Sequence, residues 1–368
     1  MDFRFSDEQQ ALEELARQIL NDHATHDRFK ALEADGGAVF DRDLWTALAD
    51  AGILGSAVPE VHGGAGYGLL ELLPVFEEAG RHVAPVPLVT TLVGALAIAR
   101  FGDDALRTNW LPRIVAGDAV VASGLEDDPG ADGTGVTAMH DSHQWRLTGT
   151  RLFVPYAAEA DVVIVPARVD GEVGLFVVSP GDGLTVTKLL STNRQPIGHV
   201  ELSSTPAWTL VAPGDEGAAA VQWITERTAA AYCTVQAGVC EGAVRMMATH
   251  ASNREQFGKK IAEFQAVAQR AADAFIDTQM VRLSAWQAMF RLAMEWEATN
   301  EVAVAKFWAG DGAMRAVHAA QHVHGGLGVD TDYPVHRYFL WAKQIEHTLG
   351  TPTRSLIALG AALAAEPV

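Results

Sequence analysis

Residues 254–260 read Arg-Glu-Gln-Phe-Gly-Lys-Lys and lie between two long helical patterns, with Phe264 and Gln265 at the start of the second pattern. Arg254 offers a permanent, forked cation of the kind that suits a diphosphate. We expect Gly258 to end the first helix, and a new helix that begins before Gln265 favours an anion beside it. A solvated helix cap is the simpler interpretation of the same residues.

Residues 322–328 read His-Val-His-Gly-Gly-Leu-Gly and follow a third helical pattern, about 60 residues further on. Three glycines within four residues allow a backbone to approach a phosphate or a ring edge closely, although a plain turn is the simpler alternative. His322 and His324 make an unpersuasive metal site, because no carboxylate or Cys lies at a ligand spacing. We therefore predict no metal.

Composition limits the classes of function. The 368 residues suffice for two or three domains, and the formal net charge of −19 argues against nucleic acid and against an anionic membrane surface. The acidic N-terminus has no apolar signal core, and no run of about 18 apolar residues follows, so we expect a cytoplasmic protein without a membrane span. Cys233 and Cys240 lie seven residues apart on a predicted helix, roughly 10 Å along its axis, and are expected to be free and buried.

The pattern along the chain predicts three blocks. Residues 1–116 are helical, with a capping box at Ser6 and Gln9 and further helices over Asp43–Ala51 and Leu69–His82. Residues 117–214 hold short β-branched runs typical of an antiparallel sheet domain, with a polar, Gly-rich loop over Asp127–Gly135. Because βαβ alternation is lacking, a doubly wound dinucleotide fold is excluded.

Residues 215–368 are helical again. The predicted helices cover Ala218–Arg254, Ala262–Trp296 and Glu301–His324, and a last one starts near Pro334. Their high Ala content suits tightly packed long helices.

Taken together and in order, these motifs resemble the acyl-CoA dehydrogenase family from end to end. The resemblance extends to Asp2–Gln9, to the glycine-rich run from Gly52, to Leu147–Thr150, and to Pro334–Tyr338 with Ala342 and Lys343. It implies a mainly α protein with a central antiparallel β domain: a helical N-terminal domain, a β-barrel-like middle domain and a C-terminal four-helix bundle. It also implies a dimer of dimers with FAD bound across a subunit interface.

Residue by residue, the resemblance assigns seven cofactor positions. Arg254, Phe257 and Gln265 match positions that reach the FAD of the neighbouring subunit. His322, Gly325 and Gly326 lie in the segment that receives the adenosine and diphosphate, with His322 where the family usually has Gln. Thr351 matches the threonine that follows the family's Glu-Gly pair.

The reaction that the resemblance implies needs a carboxylate to remove the acyl α-proton. Leu349 stands where most members have that Glu, and Thr228 stands where a minority place it, so we name no catalytic residue. Glu226 and Glu241 lie on other faces of the same predicted helix and are expected to be solvated or at subunit contacts. Glu346 lies three residues before Leu349 and reaches the site only if the loop is rearranged.

The strands that face the flavin in the family also depart from its pattern. Leu125 is followed by Glu126 where a Thr or Ser is usual. Phe153-Val154-Pro155 replaces an aromatic-Ile-Thr/Ser run, and Pro155 has no backbone N–H to donate.

Several functions fit these features. The favoured one is a base-lacking subunit resembling those of actinobacterial heterotetrameric dehydrogenases for steroid side-chain acyl-CoA, paired in an α2β2 assembly with a subunit that supplies the base. An electron-transfer flavoprotein-type acceptor is expected of the family. The alternatives are a self-sufficient homotetrameric dehydrogenase that takes its base from Glu346 or from a shifted loop, a flavin-dependent monooxygenase on the same fold, and a scaffold that binds neither ligand.

Overall fold

The structure, a computed structural model, describes residues 5–126 and 135–365, so most of the predicted Asp127–Gly135 loop lies outside the described residues. Six helices precede the sheet in the described residues: α1 Asp7–His23, α2 His26–Leu32, α3 Arg42–Asp50, α4 Leu73–Arg81, α5 Leu88–Phe101 and α6 Asp104–Val115. The capping box is confirmed, because Ser6 Oγ accepts from Gln9 N at 3.2 Å and Gln9 Oε1 accepts from Ser6 N at 3.0 Å.

The strands of the central domain close into a ring. They are β1 Val121–Ser123, β2 Val136–His140, β3 Trp145–Pro155, β4 Val162–Val169, β5 Glu172–Val178, β6 Leu184–Leu190 and β7 Pro196–Val211. Neighbouring pairs run β4-β2-β3-β7-β5 and back to β4, and β6 extends the ring along β7. Alternate residues point inward, and Val136, Leu147, Phe176 and Val200 form part of a solvent-free core.

The sheet is mixed in one respect that the sequence pattern did not indicate. Most pairs are antiparallel, but β1 and β2 each pair with β4 in parallel. The chain crosses from the end of β3 to the start of β4 instead of turning tightly, and β4 therefore runs in the same direction as β2. The predicted combination of helical ends and a barrel-like middle domain is confirmed.

Over the rest of the described residues, five helices follow: α7 Asp215–Asn253, α8 Gln265–Ala293, α9 Thr299–His324, α10 Val335–His347 and α11 Pro352–Ala365. The sequence pattern did not separate α11 from the helix before it. Cys233 and Cys240 are free and buried on α7, and burial raises the pKa of the Cys233 thiol to about 11, so it stays an uncharged packing group.

The chain folds into two compact units. One comprises residues 1–29, 73–84 and 229–368, and the other comprises residues 30–72 and 85–228. The first unit contains all seven predicted cofactor positions, and the second contains the strands expected to face a flavin ring. The division into domains 1–116, 117–214 and 215–368 stays a prediction.

Within the first unit, α4 crosses α7 at very short range. A Cβ on Gly80 would lie 1.9 Å from Val235 O, and a Cβ on Gly238 would lie 1.9 Å from Glu77 O. Only glycine permits this reciprocal approach of two backbones. The crossing fixes the course of α7, whose C-terminal end leads into the hairpin described next.

Candidate cofactor-binding site

The segment after α7 is a hairpin rather than a helix end. α7 stops at Asn253, and two short strands, β8 Glu255–Gln256 and β9 Lys259–Lys260, pair antiparallel. Phe257 and Gly258 form the turn with φ of 55° and 79°, so the expectation that Gly258 ends the preceding helix is wrong. Positive φ at both central residues is the requirement of a type I′ hairpin turn. A glycine that follows a helical pattern signals a helix cap and such a turn equally well.

Phe257 has both an exposed apolar side chain and a backbone conformation that is unfavourable for a non-glycine residue. Its side chain is 93% exposed, and its left-handed backbone costs a non-glycine residue about 1–2 kcal/mol. An exposed aromatic residue on a strained turn is typical of a group that binds another molecule. Arg254 and Gln265, at the two ends of this hairpin segment, are exposed as well.

The glycine segment closes the end of α9. α9 ends at His324, and Gly325–Gly328 form one 3₁₀ turn that is held to the helix by Gln321 Nε2, which donates to Gly328 O at 2.9 Å. Gly325 has φ 62° and ψ −132°, a conformation essentially restricted to glycine. A Cβ on Gly325 or Gly326 would meet no atom within 4 Å, so the backbone here faces open space.

Two histidines bring the hairpin and the glycine segment together. His250, in the last turn of α7, stacks on His324 with ring centroids 4.5 Å apart. His250 O accepts from the backbone N–H of Arg254 at 2.9 Å, and His324 immediately precedes Gly325. The hairpin and the glycine segment are distant in sequence, and His250 belongs to neither motif. Only the packing of α7 against α9 therefore reveals that His250 and His324 form a pair.

Thr351 lies apart from this site. Its Oγ1 accepts from Arg354 N at 3.3 Å and so caps α11. The next residue, Pro352, packs against Gly310 of α9. Gly310 precedes Gly325 by fifteen residues, which is about 22 Å along a helix. The structure therefore brings Arg254, His322, Gly325 and their neighbours into one region and leaves Thr351 at a distance.

The loop before α11 carries no carboxylate at its strained position. Leu349 has φ 55°, a left-handed conformation that is costly for a leucine, and Gly350 follows with φ 106°. Glu346, one turn earlier, forms an ion pair with Lys343 at the end of α10. Thr228 is buried and donates its hydroxyl to Ile224 O at 2.7 Å, so it contributes no ionisable group.

Two carboxylates on α7, those of Glu226 and Glu241, are engaged within the chain. Glu226 accepts from Gln222 Nε2 at 2.8 Å. Glu241 is bound by Arg81, with 2.6 Å between Nη2 and Oε2, and also pairs with Arg282 and Arg245. These arginines come from α4, α7 and α8 of the same chain, and the Glu241 side chain is only 18% exposed, so Glu241 is not a freely solvated carboxylate; its place at a subunit contact stays a prediction.

Glu241 belongs to a network of buried charges. Arg282 Nη2 lies 2.6 Å from Glu77 Oε1, Arg81 also pairs with Glu78, and Trp286 Nε1 donates to Glu77 Oε2 at 3.0 Å. Burial raises the pKa of Glu77. At Glu241 burial opposes ionisation, but the hydrogen bond from Arg81 and the charges of Arg81, Arg282 and Arg245 outweigh it and lower the pKa.

The strands expected to face a flavin lie in the second unit. Phe153 is 45% exposed with φ 51°, at a bulge where the register of β3 against β7 shifts, and its ring lies 5.2 Å from that of His199. Pro155 ends β3 and has no N–H to donate. β-Bulges of this kind often lie next to active sites, where they re-aim a side chain.

Neither a metal centre nor a membrane span occurs in the described parts of the chain. Across residues 5–126 and 135–365, no three His, Cys, Asp or Glu side chains cluster so as to hold a metal ion. None of the helices formed by those residues is both long enough and apolar enough to span a membrane.

Comparison with known families gives two matches that together cover most of the chain. The family model described as "Acyl-CoA dehydrogenase, N-terminal domain" matches residues 6–118. The model described as "Acyl-CoA dehydrogenase, C-terminal domain" matches residues 215–363.

Individual relatives cover nearly the whole length. Acyl-CoA dehydrogenase FadE27 of Mycobacterium tuberculosis is 42% identical over 338 residues, which are 89% of this chain and 90% of the relative. FadE28 of the same organism is 31% identical, covering 88% and 94%. Among solved structures, the ChsE4-ChsE5 complex from Mycobacterium tuberculosis matches with TM-score 0.94 and 39% identity over 100% of both chains. Butyryl-CoA dehydrogenase from Megasphaera elsdenii matches with TM-score 0.88 and 25% identity over 99% and 100%.

The charge network predicts a structural rather than a chemical effect of replacing Glu241. Glu241→Gln removes the carboxylate that Arg81 and Arg282 share and leaves these two arginines with only Glu77 and Glu78 as ion-pair partners, and we expect it to lower the free energy of unfolding by about 2–3 kcal/mol at pH 7.5. Because the pKa of Glu241 is lowered in the folded chain, its stabilising contribution is present above its ordinary pKa and is lost as the pH falls through the folded value. The difference in the free energy of unfolding between the unmodified protein and Glu241→Gln should therefore become smaller at acid pH. Urea unfolding at several pH values measures this difference.

Glu226→Gln, on the same helix, is the matched control and should change the free energy of unfolding by less than about 0.5 kcal/mol. Equal effects of the two substitutions would contradict the role assigned to the network.

Proposed function

The chain belongs to the acyl-CoA dehydrogenase family, whose members are FAD-dependent oxidoreductases acting on CH–CH bonds, and we propose that it is a subunit that relies on a second, related subunit for its catalytic base. The observation that carries this proposal is Leu349. Counted along the sequence from the family's motifs, it stands where most members have a glutamate, and its backbone adopts a left-handed conformation that leucine disfavours.

The chemistry explains why that position matters. α,β-Dehydrogenation removes a proton from the α-carbon and a hydride from the β-carbon, on opposite faces of the acyl chain, and bound FAD accepts the hydride. A carboxylate must therefore lie on the face away from the flavin, and general-base help is worth about 10²–10⁴-fold. A leucine side chain takes up no proton. The carboxylates of Glu226, Glu241 and Glu346 are each held by partners in this chain.

The residues of the first unit fit an FAD diphosphate. Arg254 supplies an exposed, permanent cation next to the stacked histidines. Gly325 and Gly326 present open backbone that a Cβ would partly fill. We propose that the dinucleotide is held by Arg254, Phe257, Gln265, His322, Gly325 and Gly326, and that Thr351, at the start of α11, contacts the cofactor at a separate place. The exposure of Phe257 and Gln265 suits contact with a cofactor bound mainly to a neighbouring subunit.

The surface of α8 supports assembly with another subunit. Five exposed apolar residues of α8 and of the position just past it, together with the polar Gln287, recur at alternating spacings of four and three residues, which is a heptad pattern. The apolar residues of this exposed seam are Ile276, Met280, Leu283, Phe290 and Met294. A second seam with the same spacing is buried against this chain: Ala274, Thr278, Val281, Ala285, Ala288 and Leu292. A helix with two such seams packs against helices on both sides. We infer that the exposed seam receives a helix of another subunit in a tetramer.

The names of the relatives suggest the type of assembly and substrate. One similar structure is the ChsE4-ChsE5 complex, and a variant of the steroid ACAD Tcur3481-Tcur3483 matches with TM-score 0.90 and 42% identity over 97% of this chain. Both names pair two unlike chains. We propose an α2β2 heterotetramer that acts on a steroid-type acyl-CoA, with an electron-transfer flavoprotein-type acceptor as the electron sink.

The direct test is co-expression with a candidate partner subunit. Alone, the chain should contain little flavin and oxidise no acyl-CoA. Together with its partner it should elute as a tetramer, contain FAD, and reduce an artificial electron acceptor in the presence of steroid-type acyl-CoA. Full flavin content and turnover of the lone chain as a homotetramer would contradict the proposal, and activity on short linear acyl-CoA alone would contradict the substrate class.

A gain-of-function variant tests the position of Leu349. Since its backbone is already left-handed, Leu349→Glu requires no new loop conformation. The assay uses the chain without its partner and with FAD at a saturating concentration. Under these conditions we expect Leu349→Glu to oxidise acyl-CoA at least about 10²-fold faster than the matched Leu349→Gln, whose side chain has nearly the same shape but is not a base. Single-turnover bleaching of the flavin measures the rate. Equal rates for the two variants would show that residue 349 does not face the α-carbon.

A further inference from the structure

The stacked histidines lie at the carboxyl ends of two helices. His250 is in the last turn of α7, and His324 is the last residue of α9. The carboxyl end of a helix carries a partial negative charge, roughly half an elementary charge, which favours cations and repels anions. A diphosphate that binds beside Gly325 is therefore repelled by the carboxyl end of α9. A positive charge at this helix end would offset the repulsion.

The hydrogen-bond partners of His324 allow its ring to carry that positive charge. His324 is only 4% exposed; its Nδ1 donates to Ala320 O at 2.7 Å, and its Nε2 lies 3.3 Å from the hydroxyl of Tyr333. With Nδ1 protonated, Nε2 accepts from the tyrosine when the ring is neutral and donates to the same oxygen when the ring is charged. Neither state leaves an unsatisfied polar atom, so the site accommodates both.

Few charged groups of the described residues surround the pair. Arg254 follows on the hairpin after α7, and His322 is exposed on α9. From the segment after the glycines, Tyr333 faces His324, while Asp330 accepts a hydrogen bond from the backbone of Asp332.

Without a ligand, both rings resist protonation. Burial, then the charges of His324 and Arg254, lower the pKa of His250. At His324 burial lowers the pKa and outweighs the opposing hydrogen bond to Ala320. Two rings 4.5 Å apart disfavour a second positive charge, so one proton is the expected uptake of the pair.

We propose that His250 and His324 form one proton-accepting pair that becomes positively charged when the FAD diphosphate binds beside Gly325, and that His250 is thereby a positioning residue for the cofactor. The inference rests on the proposed cofactor site. The diphosphate keeps its negative charge throughout the neutral and acid range. Binding of the anion therefore favours the charged pair and raises its pKa. By linkage, FAD binds more tightly as the pH falls, over the range that lies between the pKa of the free pair and the pKa of the pair with FAD bound.

The test uses the complex co-expressed with its partner subunit and stripped of flavin. Titration with FAD, followed by quenching of flavin fluorescence, should give a Kd about three- to tenfold lower at pH 5.5 than at pH 7.5, which is within the roughly hundredfold change that uptake of one proton allows over two pH units. Calorimetry at pH 6.5 in buffers of different ionisation enthalpy should show net proton uptake on binding. His250→Phe keeps an aromatic ring in the stack but removes one of the two proton acceptors, so it should weaken binding at pH 5.5 and reduce the pH dependence.

His143→Phe is the control, because His143 is exposed in a β-turn of the other unit, and it should leave the pH dependence unchanged. A pH-independent Kd in the unmodified complex, or an unaltered pH dependence in His250→Phe, would overturn the histidine pair while leaving the cofactor site intact. Failure of the stripped complex to bind FAD at any pH would overturn the cofactor site itself and the pair with it. Circular dichroism at each pH verifies that the complex stays folded.

Discussion

The guanidinium groups of Arg81 and Arg282 converge on the carboxylate of Glu241, and this convergence ties α4, α7 and α8 together inside the first unit. Charges that are taken out of water need partners at close range, and each of these groups has one. The same contacts that fix the helices remove Glu241 from chemistry, because a carboxylate with a lowered pKa between arginines is a poor proton acceptor. Fold and reactivity are thus set by one network.

The helices held by that network present two surfaces to which the proposal assigns different functions. At one end of α7 and α9 the hairpin, the glycine turn and the stacked histidines combine open backbone with positive charge, as an anionic dinucleotide requires. Along α8 a heptad seam of exposed apolar side chains suits another helix. The proposed cofactor site and the proposed assembly surface therefore belong to one helical bundle, as a cofactor shared between subunits requires.

Much of the architecture could be predicted from the sequence because it depends on local patterns. Helical periodicity, the Ser6 capping box and β-branched runs each report on neighbouring residues. The missing carboxylate at Leu349 was also visible from the order of the motifs. The hairpin turn at Phe257 and Gly258 was not, since a glycine after a helix signals a cap as readily as a turn. The arginine contacts of Glu241 and the pairing of His250 with His324 join residues far apart in sequence, and no local pattern reports them.

The central claim is that this polypeptide provides no base for the α-proton, and exchange of that proton measures it without the electron-transfer step. The lone chain, saturated with FAD, is incubated anaerobically with acyl-CoA in D2O, and deuterium at the α-carbon is followed by mass spectrometry. The account predicts no incorporation above the uncatalysed rate, and rapid incorporation once the partner subunit is added. Incorporation by the lone chain that disappears in Glu346→Gln would contradict it.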